Sequence, residues 1–375
     1  MSSLYPEIVS LDYVKPHPAA DRLEIAIVRN TTVVVPKDQY RRGDVVVYFP
    51  PDLMLSETAI EALGVRAYLK SALYPGAAEK TACRVGAARL RGVPSFGFIA
   101  PLVDPAGEPL VDCRLGTDVS EAFGAVKYEP PLRIRAEDAE VHHPSFHQYT
   151  SLEHWYRFPD AIPAGELVRV TEKIHGTNSR VGVISVDGKP TFMAGSHKVR
   201  RKEPEGGVAA WGKSLYWSPL ANPNVVQLMA SLVAPPDGTY HQVIVFGELF
   251  GPTIQDMDYG VEPGCVDYRV FDVSVDGVYL DYPRLLEATT EHGVPLVPLI
   301  YQGPFDPDLV DEWTHGPTLV GSPRCAFKGR EGCVITTLVD QFYAPTSRKA
   351  LKSVSADYLA RKGATDEQEL AETLS

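Results

Sequence analysis

A lysine ends one alternating run and stands just before Gly-Thr-Asn in the stretch Glu172-Lys-Ile-His-Gly-Thr-Asn-Ser-Arg180. Leu167-Val-Arg-Val-Thr171 before it alternates as a half-buried strand does, and Val181-Gly-Val-Ile-Ser185 after it reads as a second strand. The pattern puts Lys173 at a strand end, its amine directed between the two. Such an amine is a nucleophile only when neutral, and an unperturbed lysine near pKa ~10.4 is only about 0.1% neutral around pH 7.5. Burial and neighbouring cations lower that value. An isolated Lys-x-x-Gly is most often a surface lysine in a hairpin, but four further segments follow in order. Val245-Phe-Gly-Glu-Leu-Phe-Gly-Pro252 sets Glu248 at a strand end beside two glycines, where backbone can approach a sugar closely. Tyr268-Arg-Val-Phe-Asp272 sets Phe271 and Asp272 on alternating faces of a strand. Glu331-Gly-Cys-Val-Ile335 starts a strand with a carboxylate, and Arg348-Lys-Ala-Leu-Lys352 closes the series with a basic cluster.

These residues need a scaffold. With 375 residues, 44% of them hydrophobic, the chain can bury real cores, and its length favours two domains. No apolar run approaches the ~20 residues of a membrane span, and no basic start followed by an apolar stretch suggests a signal peptide. Five cysteines (Cys83, Cys113, Cys265, Cys325, Cys333) form no CxxC pair, which fits reduced thiols in a cytoplasm and opposes a structural zinc. A net charge of −12 opposes indiscriminate nucleic-acid binding, while leaving room for a local basic groove.

Residues 1–125 carry short apolar runs, Leu23–Val28, Thr32–Val35 and Val45–Phe49, punctuated by Gly and Pro. Strands at this spacing suggest a small barrel. The prolines after Tyr128 and the polar stretch beyond them read as a linker over 126–144. Longer strand signals follow over 145–362, with helices near 223–232 (Val226, Met229 and Leu232 sharing a face) and 283–289. Residues 363–375 form an acidic tail.

Pro16-His-Pro-Ala-Ala-Asp-Arg-Leu-Glu24 and Leu90-Arg-Gly-Val-Pro-Ser-Phe-Gly-Phe98 resemble the OB-type tRNA-binding domain appended to some aminoacyl-tRNA synthetases. In this resemblance His17 and Asp21 either belong to an RNA-contacting domain or only fix a loop. The second part, over roughly 145–355, resembles the nucleotidyltransferase core of ATP-dependent polynucleotide ligases and mRNA capping enzymes. Its wording (EKIHGTN, FGELFGP.IQ…DYG, VFD, EGCVI) is most similar to RNA ligases that seal nicked duplexes, and with a preceding OB-like domain to the Deinococcus-type RNA ligase. Gln148-Tyr-Thr-Ser-Leu-Glu-His154 resembles the start of that core. The fold class implied is α+β, an N-terminal OB-like β-barrel followed by an adenylyltransferase core of antiparallel sheets with helices.

The resemblance implies that Lys173 attacks the α-phosphorus of ATP, that AMP passes to an RNA 5′-phosphate, and that a 3′-hydroxyl then displaces it. It implies Glu248 on a ribose hydroxyl, Phe271 stacked on adenine, and Lys352 on the α-phosphate. Glu331 and Glu248 would hold Mg²⁺ or Mn²⁺ through water. His175 would orient the leaving pyrophosphate, Asn178 would touch phosphate or ribose, and Glu172 would accept from the adenine amino group. The family's arginine on the following strand is absent: His197 fills its place, with Lys198 or Arg200 as substitutes, and Arg180 as a further phosphate contact. A second lysine of the last motif is also absent, Val354 standing there, so Arg348 or Lys349 is the expected stand-in. The expected partner is RNA or an RNA-containing duplex, with the chain working as a cytoplasmic monomer and no membrane. Capping-type GTP chemistry and a non-catalytic RNA-binding protein are the rival readings. Against the first, only about 20 residues follow Lys352, too few for a downstream barrel. His142, His143, His147 and His154 read as structural, and Trp211–Trp217 as either core or an RNA-tracking segment.

Overall fold

The computed structural model describes residues 4–29, 31–110, 113–128, 138–233, 241–255, 257–321, 325 and 327–359; the expected acidic tail lies outside them. The chain divides into two compact units, one over 3–129 and the other from 130 onward.

The first unit is built of short antiparallel strands. Glu7–Ser10, Val45–Phe49 and Phe98–Ala100 form one sheet, and Tyr13–Pro16, Leu23–Val28 and Thr31–Pro36 another. Val9, Ala26, Val28, Val33, Val46 and Ile99 turn inward from both sheets into one core. His17 is buried; its ring bonds the Leu90 carbonyl at 3.0 Å and accepts from the Ala19 N–H at 3.1 Å. It therefore ties its own loop to the hairpin of Ala87–Leu90 and Val93–Phe96.

The second unit is organised by eight strands: β1 (Leu167–Lys173), β2 (Thr177–Val186), β3 (Lys189–Ser196), β4 (Val243–Phe250), β5 (Asp267–Val275), β6 (Leu299–Pro304), β7 (Gly332–Thr337) and β8 (Ala350–Val354). A seven-stranded sheet has β3-β2-β4-β5 at its centre, and a five-stranded sheet has β8-β7-β1-β6. Helices α1 (Pro223–Val233) and α2 (Tyr282–Glu291) cover one face of the larger sheet, meeting Val181, Val183, Val243 and Val245. Asn222 accepts from the Asn224 N–H at 3.0 Å, the bond of an N-cap, and Pro223 stands at the first helical position. The inward face of α1 is Val225, Leu228, Met229 and Leu232, each fully buried Leu or Val contributing about 1.5–3 kcal/mol. Val226, expected on that face, is only half-buried.

The expected linker is partly folded. Val126–Lys127 pairs with Leu53–Met54, and Ala139–Glu140 pairs with Arg200–Arg201, extending the larger sheet. Backbone donors and acceptors on open strand edges drew both ends of the stretch into sheets despite its prolines. Residues 129–137 between them lie outside the described residues.

Candidate active site

A cleft between the two sheets is lined by residues of both. On β1, Val168 and Val170 enter the core with Trp313 and Phe305, while Arg169, Thr171 and Lys173 line the cleft. Val334 and Thr336 of β7 and Lys352 of β8 complete that wall. Asn178, His197, Glu248, Phe271 and Asp272 line it from the larger sheet. The loop Ile174–Gly176 is thus the crossing point from one sheet to the other. A Cβ on Gly176 would lie 2.2 Å from the Leu249 carbonyl oxygen, so only glycine lets the crossing approach β4 this closely.

Lys173 Nζ is ion-paired with Glu331, a carboxylate with 0% exposure just ahead of β7. Glu248 pairs in register with Asn178, inside β4 and not at its end. Asn178 Oδ1 is buried with no hydrogen-bond partner among the described residues. Gly247 makes room for the Tyr268 ring, 2.5 Å from where its Cβ would be, and not for a sugar. Phe271 is the extra residue of a bulge, since Phe246 pairs with Asp272 and Gly247 already with Val270. The bulge breaks the period of two, so Phe271 and Asp272 both reach the cleft instead of facing opposite ways. Tyr149 packs edge-on against Phe271 at 4.8 Å.

Several expected contacts lie elsewhere. His175 has 0% exposure and does not line the cleft; its Nδ1 bonds the Tyr358 hydroxyl at 2.8 Å, so the ring serves the loop and not a leaving group. Arg180 also has 0% exposure, lying over the Phe146 ring at 4.5 Å and donating to the Phe146 carbonyl at 2.9 Å. Arg200 pairs with Glu140 at 2.7 Å, and Lys349 with Glu166 at 2.9 Å. Each of these three cations is taken up by folding partners away from the cleft lining. Arg348 is likewise occupied, by Asp272 and Asp340. Glu172 lines the cleft, but its oxygens accept from Thr318 Oγ1 at 2.5 Å and the Leu319 N–H at 2.7 Å, anchoring that turn. Burial pushes its carboxyl above the ordinary range, against the pull of those two bonds.

His197 does reach the cleft. Burial, then Arg180 and Lys198, push its imidazole down to about 4 from 6.5. Between those values the unfolded chain binds a proton that the folded one refuses, so stability falls as pH drops from 6.5 toward 4. The total is about 3 kcal/mol. His197→Gln should flatten that slope in urea unfolding across this window; an unchanged pH dependence would remove His197 as its source.

Asp272, beside Phe271 in the sequence, accepts hydrogen bonds from three side chains in the cleft. Arg169 reaches it at 2.6 Å, Arg348 at 2.7 Å and the Tyr149 hydroxyl at 2.6 Å. Its partners lie 103, 76 and 123 residues away, beyond any local pattern.

Among the described residues no three His, Cys, Asp or Glu side chains gather as a metal cage. Glu331 and Glu248 supply hard oxygen donors instead, the set that suits a hydrated Mg²⁺ or Mn²⁺ shared with substrate phosphates. Among those residues, too, no helix is long and apolar enough to cross a membrane.

Residues 7–102 match an OB-fold domain. No curated protein matches the chain by sequence. Mutants of Naegleria gruberi RNA ligase solved with ATP and Mn, and with AMP and Mn, are similar in structure. They have 21% and 20% identity and TM-scores of 0.72 and 0.71, each covering 95% of this chain and 98% of the other. The same organism's RNA ligase with PPi matches at 21% identity and TM-score 0.70, with the same coverage. At that identity the likeness is one of fold, and it spans both units. The cleft-bearing stretch 166–354, half of the sequence, matches the RNA ligase family pattern, and the chain belongs to the RNA ligase family.

Proposed function

We propose that this RNA ligase runs on ATP and seals 3′-hydroxyl, 5′-phosphate junctions at nicks or breaks in RNA-containing duplexes, in the manner of the Deinococcus-type enzyme. The observation that carries the reading is Lys173 at the crossing between sheets, ion-paired with Glu331 and sharing one cleft with Glu248, Phe271 and Lys352. The relatives solved with ATP, AMP, PPi and Mn support the nucleotide and the metal.

The chemistry begins at Lys173 Nζ. The neutral amine attacks the α-phosphorus, the bond to pyrophosphate breaks, and a lysyl–AMP phosphoramidate forms. Glu331 beside the amine is placed to hold its proton as the N–P bond forms. Lys352 offsets charge growing on the α-phosphate oxygens. Phe271 and Val334 face the cleft as stacking and apolar surfaces for adenine. Glu248 accepts from a ribose hydroxyl, and Asn178 turns its amide to phosphate or ribose. Glu172 offers the adenine amino group only the lone pairs left by Thr318 and Leu319. A divalent cation held through water at Glu331 and Glu248 would supply counter-charge to the phosphates. An RNA 5′-phosphate oxygen then takes AMP from the lysine, and a 3′-hydroxyl displaces AMP to close the phosphodiester.

Five free cysteines fit a reducing cytoplasm, and a single copy of the chain supplies every cleft residue named here. Sealing assays with ATP and Mn²⁺ on single-stranded RNA, RNA nicks, DNA nicks and mixed junctions test the substrate. Nicks with RNA on the 3′-hydroxyl side should be sealed fastest. Equal sealing of single strands would defeat the duplex assignment, and covalent labelling from GTP in place of ATP would defeat the nucleotide.

A further inference from the structure

Two residues of the FGELFGP.IQ…DYG stretch have no part in the chemistry above: Gln255 and Tyr259 do not line the cleft. Both grip the loop that follows Lys173. Gln255 Nε2 donates to the Gly176 carbonyl at 3.0 Å, and the Tyr259 hydroxyl accepts from the His175 N–H at 2.6 Å. A third side chain, Tyr358 in the short C-terminal helix Ala356–Leu359, bonds His175 Nδ1 at 2.8 Å. Ile174, between lysine and histidine, packs with Phe250, Met257, Tyr259 and Tyr358. The loop's backbone is thus tied to one segment at two points, and its one histidine ring to another segment.

Tyr259 is held at φ +51°. That left-handed conformation is unfavourable for a bulky residue and persists where the surroundings over-determine it, commonly beside functional sites. Asp258 Oδ1 accepts from the Gly260 N–H at 2.8 Å and stabilises the turn that delivers the tyrosine. A lysine side chain is long and flexible, so the aim of its amine depends on how firmly the backbone at its base is fixed. Small misplacements of a nucleophile cost large factors in rate.

We propose that Gln255, Tyr259 and Tyr358 are positioning residues that clamp Ile174–Gly176 and so aim Lys173 for its attack. They set the rate of lysine adenylylation, and leave ATP affinity and the closing of the phosphodiester unchanged. The inference rests on Lys173 carrying the nucleotide, and its test separates the two ideas. Tyr259→Phe and Gln255→Leu are assayed in the full chain for three quantities: the maximal rate of label transfer from ATP, the ATP concentration at half-saturation, and sealing of a nick whose 5′-end already carries AMP. That last substrate bypasses the lysine. The maximal rate should drop by about ten- to a hundredfold. Half-saturation should move by less than about twofold, and pre-adenylylated nicks should be sealed at the wild-type rate. A wild-type rate in both variants overturns the clamp. So does a loss shared equally by the pre-adenylylated nick, or one that appears only in half-saturation. If Tyr259→Phe lowers the thermal midpoint, Gln255→Leu, at a half-buried side chain, decides alone. A wild-type protein that takes no label from ATP fails the nucleotide reading itself.

Discussion

Lys173→Ala protein incubated with labelled ATP and Mn²⁺ is expected to carry no covalent label, and joining of 5′-phosphate ends should fall by on the order of 10⁴-fold or more. Among the described residues no other lysine that lines the cleft stands at the crossing between sheets; Lys352 enters from the middle of β8. Alanine also removes the cation paired with Glu331, a carboxylate with 0% exposure. A loss of activity could then reflect a disturbed cleft, and Lys173→Arg separates the two causes. Arginine keeps a positive charge beside Glu331, but its guanidinium stays protonated at any working pH and cannot attack phosphorus. Both variants should lose the label, and Lys173→Arg should keep the wild-type unfolding midpoint. On nicks already carrying AMP at the 5′-end, Lys173→Arg should still close the phosphodiester. Label on either variant that is acid-labile and base-stable, as a phosphoramidate is, would mean that a different amine is the nucleophile.

The cleft was legible where its residues follow strand periodicity. Lys173 shares the polar face of β1 with Arg169 and Thr171, and that face lines the cleft, whereas Glu248 and Lys352 are the lone charges of largely apolar strands, located by motif order. Ordered motifs also located Glu331, because a carboxylate just ahead of an apolar run lies at a strand entrance. The failures have a common cause: a cation's partner is chosen in three dimensions. Arg348 and Lys349 are adjacent in sequence, yet one turns to Asp272 and the other to Glu166, so the basic cluster read from the sequence is divided between two ion pairs. Arg180 follows Asn178 by two positions and shares its face of β2, but one rung along the strand the cleft has given way to the aromatic core around Phe146. Periodicity specifies a face and not how far along it the solvent reaches. The bulge at Phe271 has no sequence signal of its own, since nothing in Val-Phe-Asp marks an extra residue, and it brought Asp272 into the cleft. The bond that ties the His17 loop to its neighbouring hairpin was equally out of reach, since its partner Leu90 lies 73 residues away.

Asp272→Ala should be the most destabilising single change in the cleft, costing about 3–5 kcal/mol, because it leaves the buried Arg169 without its counter-charge and Arg348 with Asp340 alone. Asp272 is on β5 of the larger sheet; Arg169 is on β1 and Arg348 just precedes β8, both of the smaller one. The carboxylate therefore ties the two walls of the cleft together, and the Tyr149 hydroxyl adds a third bond. Burial alone would raise the Asp272 carboxyl, but Arg348 and Arg169 outweigh it and hold the group below the ordinary carboxylate value. A depressed folded value means that the contribution is present above pH ~3.8 and is lost as pH falls through the folded pKa. Urea unfolding at neutral pH should show a lower midpoint with an unchanged slope. Asp272→Asn, which keeps the shape and some hydrogen bonds but not the charge, should fall between alanine and wild type. Adding Arg169→Met to Asp272→Ala removes the orphaned cation and should recover part of the loss, as buried ion pairs replaced by apolar side chains often do. A cost below about 1 kcal/mol for Asp272→Ala, the range of an exposed pair, would mean that Arg169 reaches water or another anion and that Asp340 suffices for Arg348. The cleft walls would then be held together by packing alone.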